Sequence, residues 1–301
     1  MLKAICLGRS CYDINLVVET LPEEGTTTEF FNKVGCGGGT ASNIAIALSK
    51  WGISTAISVV QGNDVFGNRI RDEFEKAHMD TRYIEQSFNN DTAISSIVVN
   101  KSTKKHTIYN ISDKYIGLKK YDFDFTPDLI VIDGYDSIAS KNLLDRFPSC
   151  LSVFSAEIIT KETMDLCRKA KYVICTKEFA ESVSGIRIDY QNMKTLVEAY
   201  QRLKKKYLNT EFVITLGEKG ALYRVNNQIK ITPSLKMEVV DTHGARDSFC
   251  AAFAYSMLND KDLEKAVKFG CIAGGLATRV IGARLSIPTL EEIKSIYEQN
   301  Y

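Results

Sequence analysis

The stretch best suited to chemistry is Val239-Val240-Asp241-Thr242-His243-Gly244-Ala245-Arg246-Asp247-Ser248-Phe249-Cys250-Ala251-Ala252-Phe253. Phe249, Phe253 and Met257 recur at helical spacing, so Gly244, Ala245 and Arg246 read as the start of a buried helix. The first amides of a helix have no internal acceptors and face any bound anion, and the helix dipole adds to the attraction. Asp247 falls in that first turn. A carboxylate beside an anion site suits phosphoryl transfer: it takes the proton of an attacking hydroxyl while the amides hold the charge developing on the phosphate. The segment alone leaves a second reading open, in which Asp247 only complements the helix dipole.

The elements that must position these residues alternate. Ala4–Gly8 reads as a buried strand, with Asp13 following at the mouth of a sheet and a further strand over 14–19. The glycine cluster Gly35-Cys36-Gly37-Gly38-Gly39 precedes a helix over Asn43–Trp51 that Gly52 stops. Strands follow at Thr55–Val60, Asp128–Asp133, Leu151–Phe154, Lys171–Cys175 and Glu211–Thr215. Helical patterns cover 68–77, 138–146, 161–169, 192–206 and 262–279. This alternation predicts a mostly parallel α/β sheet with helices on both faces. Residues 14–33 and 93–113 fit it badly. They read as antiparallel ribbons forming a small β-sheet lid on a single domain spanning 1–301. Read one at a time, Asp13 is equally a strand-end turn residue, Asn43 a helix N-cap, and Thr215–Gly220 a plain hairpin. Gly270, Gly274 and Gly275 are equally helix-packing residues.

Composition narrows the classes. The 301 residues are 45% hydrophobic, which excludes disorder over most of the chain. With 38 Lys+Arg against 37 Asp+Glu, no basic excess is available for a nucleic-acid backbone. The eight cysteines form no C-x-x-C pair, and the three histidines lack ligand spacing, so reduced thiols fit better than disulfides or structural zinc. No apolar run is long enough to span a bilayer, and the first residues make too short a signal core, so a cytoplasmic protein without membrane partners is expected.

Five glycine-rich pieces together resemble the PfkB/ribokinase family of sugar kinases. Asp241-Thr242-x-Gly244-Ala245-x-Asp247-Ser248-Phe249 looks like its signature. Gly38-Gly39-Thr40-Ala41-Ser42-Asn43 looks like its G-G-x-x-x-N segment, and Gly62–Gly67 like its G-x-D-x-x-G turn. Thr215-Leu216-Gly217-Glu218-Lys219-Gly220 looks like its nucleotide loop, and Ala266–Cys271 with Gly282–Pro288 like its nucleotide wall. The order and spacing agree along essentially the whole chain. The resemblance implies a ribokinase-like fold and an ATP- and Mg²⁺-dependent kinase. Asp247 would be the base, the amides of Gly244, Ala245 and Arg246 the anion hole, and Asp13, Gly38, Gly39 and Asn43 the sugar partners. Vicinal hydroxyls do need carboxylate and amide partners, and neighbouring glycines remove obstruction. Thr215, Gly217, Gly220, Gly270 and Cys271 would meet the nucleotide. A monovalent cation near Asp241 and His243, and a homodimer through the lid, are implied as well.

Three positions depart from the family. Arg246 replaces a glycine, which would strain a left-handed backbone and raises the question of whether its side chain blocks the phosphate. The N-x-x-E segment that organises Mg²⁺ is replaced by Thr176-Lys177-Glu178-Phe179, leaving Glu178 as the candidate metal residue. His243 fills the variable place of the signature, more as a loop-fixing residue than as a proton donor. Details of 176–180, 268–271 and 282–284 look like the ketohexokinase and fructokinase branch, so the expected acceptor is a small sugar, with a ketose such as fructose among the candidates. Two alternatives remain: a nucleoside kinase using Phe30, Phe31, Tyr109 and Tyr115 as a base slot, and a non-catalytic sugar- or nucleotide-binding protein.

Overall fold

A computed structural model describes residues 2–111, 117–119 and 121–301. Tyr115 and the last residues of the expected lid, 112 and 113, lie outside them. The first third of the chain holds β1 (Lys3–Leu7), β2 (Cys11–Val18), β3 (Asn32–Gly38), α1 (Thr40–Lys50), β4 (Ser54–Ser58), β5 (Val60–Gly62), α2 (Val65–Lys76), β6 (Glu85–Ser87), β7 (Ile94–Asn100) and β8 (Lys105–Ile111). The middle holds β9 (Leu129–Ile132), α3 (Ser137–Arg146), β10 (Leu151–Ala156), α4 (Lys161–Leu166), β11 (Tyr172–Thr176), α5 (Lys177–Ser184) and α6 (Met193–Lys206). Then come β12 (Glu211–Thr215), β13 (Ala221–Val225), β14 (Gln228–Thr232), α7 (Ala245–Asp260), α8 (Leu263–Ala277) and α9 (Leu290–Asn300).

The main sheet runs β14-β13-β12-β11-β10-β9-β1-β4 and is parallel from β12 to β4. Its strands are apolar on both sides because both sides are covered. Along β1, Ala4 and Cys6 join the core under α1, α2, α7 and α8, while Ile5 and Leu7 join the core under α3–α6. This is the ribokinase-like α/β fold.

A second sheet, β3-β2-β7-β8, stands beyond the carboxyl ends of the parallel strands. Its own core is small: Val17, Ile97 and Val99. The antiparallel-ribbon reading holds for β2/β3 and β7/β8, but the central pair β2/β7 is parallel. Hairpin turns join only sequence neighbours; β2 and β7 meet through a long crossover that includes α1 and α2. Most of the glycine cluster is strand, since Gly35–Gly38 are the end of β3. Asp13 is correspondingly in mid-strand, opposite Cys36 and Ser95, and not at the mouth of the main sheet. The strand read over Thr55–Val60 breaks after Ser58, and α5, α9 and the β13/β14 hairpin were not read at all.

Candidate active site

A cavity of about 700 Å³ lies between the two sheets. Residues just past the carboxyl ends of β1, β9, β10, β11 and β12 line it: Arg9, Asp133, Glu157, Lys177 and Gly217. That is where open parallel sheets present loops to ligands.

Asp247 sits in the first turn of α7. The residue before the helix, Gly244, has φ 84°, and a Cβ there would come within 2.4 Å of the Ala283 Cα, so only glycine fits. Asn43 lies in the first turn of α1, where its amide donates to the Gly39 carbonyl at 2.8 Å; it is not the N-cap. Its Nδ2 donates to Asp247 Oδ2 at 2.8 Å, with both side chains buried. Its Oδ1 accepts from Arg284 Nε at 3.2 Å, which fixes the orientation of the amide. The Ala245 amide donates to the Thr242 carbonyl at 3.3 Å. Among the described residues the amides of Gly244 and Arg246 have no acceptor, so an anion site remains at the head of α7.

Asp13 is 2% exposed, and Cys11 Sγ donates to it at 3.3 Å. Burial pushes its carboxyl above the usual range, opposed by His243, Cys11 and Arg284. A Cβ at Gly38 would lie 2.1 Å from that carboxyl, so the glycine makes room for it. Gly39, Asn43, Asp13 and Asp247 all line the cavity; Gly38 and Ala245 stand behind them.

Arg246 is helical, so the feared left-handed strain does not arise. Its Nη2 pairs with Glu157 at 2.5 Å. Desolvation would lower its basicity, but Glu157 and Asp247 outweigh this and hold it charged. Asp241 is fully buried and accepts from the amides of His243 at 2.9 Å and Gly282 at 3.1 Å. The His106 ring, from β8, stands 3.7 Å from it. Burial alone would raise the Asp241 carboxyl, yet His106 and the two amides hold it below its ordinary value. Part of its charge is thus met by donors within the chain.

At the other end, Thr215, Gly217 and Glu178 line the cavity. Glu178 is exposed in the first turn of α5, with no cationic partner among the described residues. Gly220, Gly270 and Cys271 do not line the cavity. Gly270 packs against the Phe249 ring, Cys271 Sγ faces the Thr232 carbonyl at 3.6 Å, and Gly220 abuts Thr232. Gly270 thus serves the close packing of α7 on α8, and Cys271 the packing of α8 on β14.

Three residues of the site were not singled out from the sequence. Asp133 accepts from the amides of Arg9 (2.8 Å), Tyr135 (2.9 Å) and Ala41 (3.2 Å), tying two loops to the start of α1. Burial raises its carboxyl, against those three donors. A carboxylate ending the apolar run Leu129–Ile132 was the available signal. Arg284 pairs with Glu73 at 2.6 Å and donates to the Gly38 carbonyl at 3.3 Å. Arg9 is the third.

The ribokinase-like fold, with an aspartate in the first turn of α7, is a phosphotransferase scaffold, and comparison with known proteins gives its family. The pattern of the pfkB family carbohydrate kinases matches residues 1–123 and 136–290. The chain belongs to that family, whose members are phosphotransferases with an alcohol acceptor. It is 27% identical to the ribokinase of Staphylococcus aureus (strain COL), over 98% of this chain and 99% of that protein. Among solved structures it resembles ribokinase from Thermotoga maritima, with a TM-score of 0.81, 23% identity and 99% of each chain covered. It also resembles Arabidopsis thaliana ribokinase complexed with ribose and ATP, with a TM-score of 0.82, 18% identity and 98% of each chain covered.

Proposed function

We propose that this chain transfers the terminal phosphate of ATP to a hydroxyl of a small sugar. The observation that carries the reading is the Asn43–Asp247 hydrogen bond beside the open amides at the head of α7. Asp13 and Asn43 hold acceptor hydroxyls. Asp247 takes the proton of the attacking one. The amides of Gly244 and Arg246 receive the charge that builds on the transferred phosphate. Thr215 and Gly217 face the nucleotide. Arg246, held by Glu157, contributes positive charge beside that site without filling it.

Mg²⁺ suits this donor set, because it is usually held by one or two carboxylates together with substrate phosphates. Glu178, unpaired and on the cavity, would hold it; when bound, the ion neutralises phosphate oxygens.

The small sheet acts as a lid over the acceptor end of a single domain spanning 1–301, since Ser95, Ile97, His106, Ile108 and Asn110 line the cavity from above. A covered site keeps water from competing as acceptor. Phe31, Tyr109 and Ile111 leave apolar surface on that sheet, which we read as the face of a homodimer; a monomeric mass by light scattering at micromolar concentration removes that part. All eight cysteines are free, which suits the cytoplasm. Among the described residues no helix is long and apolar enough to cross a membrane. Of the four residues offered as a base slot for a nucleoside, Phe30, Phe31 and Tyr109 are exposed and do not line the cavity, and Tyr115 lies outside the described residues.

A panel of sugars and nucleosides with ATP and Mg²⁺, read by ADP release, tests the reading. A sugar should drive ADP release that Asp247→Asn abolishes. Flat traces with every acceptor, despite measurable ATP binding, leave the non-catalytic alternative.

A further inference from the structure

We infer that the acceptor carries an anionic group, a carboxylate or a phosphate, and that Arg9 grips it. This rests on the reading of the cavity as an acceptor site. The Arg9 backbone is fixed on both sides: its amide donates to Asp133 at 2.8 Å and its carbonyl accepts from Ser42 Oγ at 2.9 Å. The side chain lines the cavity. Its guanidinium lies 5.0 Å from the Tyr135 ring centre, and Nη2 donates to Asn110 Oδ1 at 3.3 Å. Both neighbours line the same cavity, and neither is a carboxylate. The Nε atom is buried and has no hydrogen-bond partner among the described residues, which is also true of Arg246 Nε; what sets Arg9 apart is the lack of a carboxylate partner.

The contrast with the other two arginines of the site is informative. Arg284 has Glu73 at 2.6 Å, and Arg246 has Glu157 at 2.5 Å. Arg9 has no carboxylate within ion-pair distance among the described residues. The nearby carboxylates are otherwise engaged, Asp133 by three amides and Asp247 by Asn43. Arginine does not deprotonate to relieve the mismatch. A buried donor left unpaired is costly, and the cost is recovered when a ligand supplies the acceptor. A guanidinium fork with one free edge matches the paired oxygens of a carboxylate or phosphate, whereas a hydroxyl meets one donor at a time. Asn110 and Tyr135 hold the fork in place from β8 and from the loop after β9.

The test compares matched pairs: D-ribose with D-ribonate, D-glucose with D-gluconate, and D-fructose with D-fructose 6-phosphate. Binding is read by calorimetry with Mg²⁺ and a non-hydrolysable ATP analogue, and turnover by ADP release. At least one anionic member should bind about tenfold or more tightly than its neutral partner, and the pair that shows it tells carboxylate from phosphate. Arg9→Ala should bring that ratio to within about threefold, while Arg9→Lys keeps part of it. If Arg9→Ala does not fold, Arg9→Lys with native-like melting carries the comparison through a reduced ratio. The inference is overturned if the neutral members bind as well, or if the substitutions weaken both members of a pair by the same factor. Anion binding through Arg9 without ADP release would uphold it and sink the kinase reading; phosphorylation of neutral sugars with no anionic preference would do the reverse.

Discussion

The two ends of the cavity are made of different material. Toward the small sheet, the site consists of side chains withdrawn from water: Asp13 and Asn43 are each 2% exposed, and Asp247 is 8% exposed. Each is held by a named neighbour, Cys11, Arg284 or Asn43 itself. Toward β12, what faces the cavity is mostly backbone and exposed groups. Gly217 has open space where a Cβ would be, the Thr215 hydroxyl donates to the Cys175 carbonyl, and Glu178 stands in solvent. Buried charges act strongly because little water screens them; exposed ones act weakly. On the proposed reading, discrimination among acceptors should therefore be sensitive to single substitutions, and the β12 end tolerant of them.

The largest effect is expected at the junction of the two ends. Asp247→Asn should lower kcat by about 10²- to 10⁴-fold while ATP affinity, measured by calorimetry, is retained. Near-native turnover would remove the base and the contrast with it. Next, Asp13→Asn should raise the sugar KM by about 10- to 100-fold. The same change should raise the melting temperature at neutral pH. The sign follows from burial: the native Asp13 carboxyl binds its proton more tightly than in the unfolded chain. Between pH 3.8 and the raised native value, stability therefore falls as pH rises, and above that window the charged form is a standing cost that asparagine lacks. A lower melting temperature at pH 7 would show that the carboxylate is stabilising after all.

Arg284→Ala probes the support behind Asn43. Losing the hydrogen bonds to Glu73, Asn43 and Gly38 should destabilise the fold by about 1.5–3 kcal/mol in denaturant titrations, and raise the sugar KM with it. Glu178→Gln, at the open end, should change the Mg²⁺ concentration needed for half-maximal rate by less than about tenfold. A Glu178 effect as large as that of Asp13 would erase the proposed asymmetry.

Much of the layered fold could be read from the sequence, because parallel strands buried on two faces leave continuous apolar runs such as Leu129–Ile132. The start of α7 was legible from its own residues, a glycine followed by an acidic first turn ahead of an apolar helical pattern. What escaped depended on long-range partners. Nothing local announces that Arg284 will reach Asn43, that Asp133 will collect three amides from distant loops, or that Arg9 will find no carboxylate. Gly270 and Cys271 pose the opposite problem, since small residues in a helix look alike whether they border a ligand, as expected, or a neighbouring helix or strand, as here. The small sheet was legible as hairpins and illegible as a sheet, because the β2/β7 pairing joins strands far apart in sequence.

Only Gly8, Arg9 and Ser10 lie between β1 and β2, and Gly39 alone separates β3 from α1. Of the segments that join the sheet carrying Asp13 to the body carrying Asn43 and Asp247, these two are very short, and both lie at the cavity wall. On the proposed reading, swinging that sheet outward pulls one half of the sugar's hydrogen-bonding set off the other. The alcohol is aligned with its proton acceptor only while roofed over, so admitting the substrate and activating it become successive positions of one moving part.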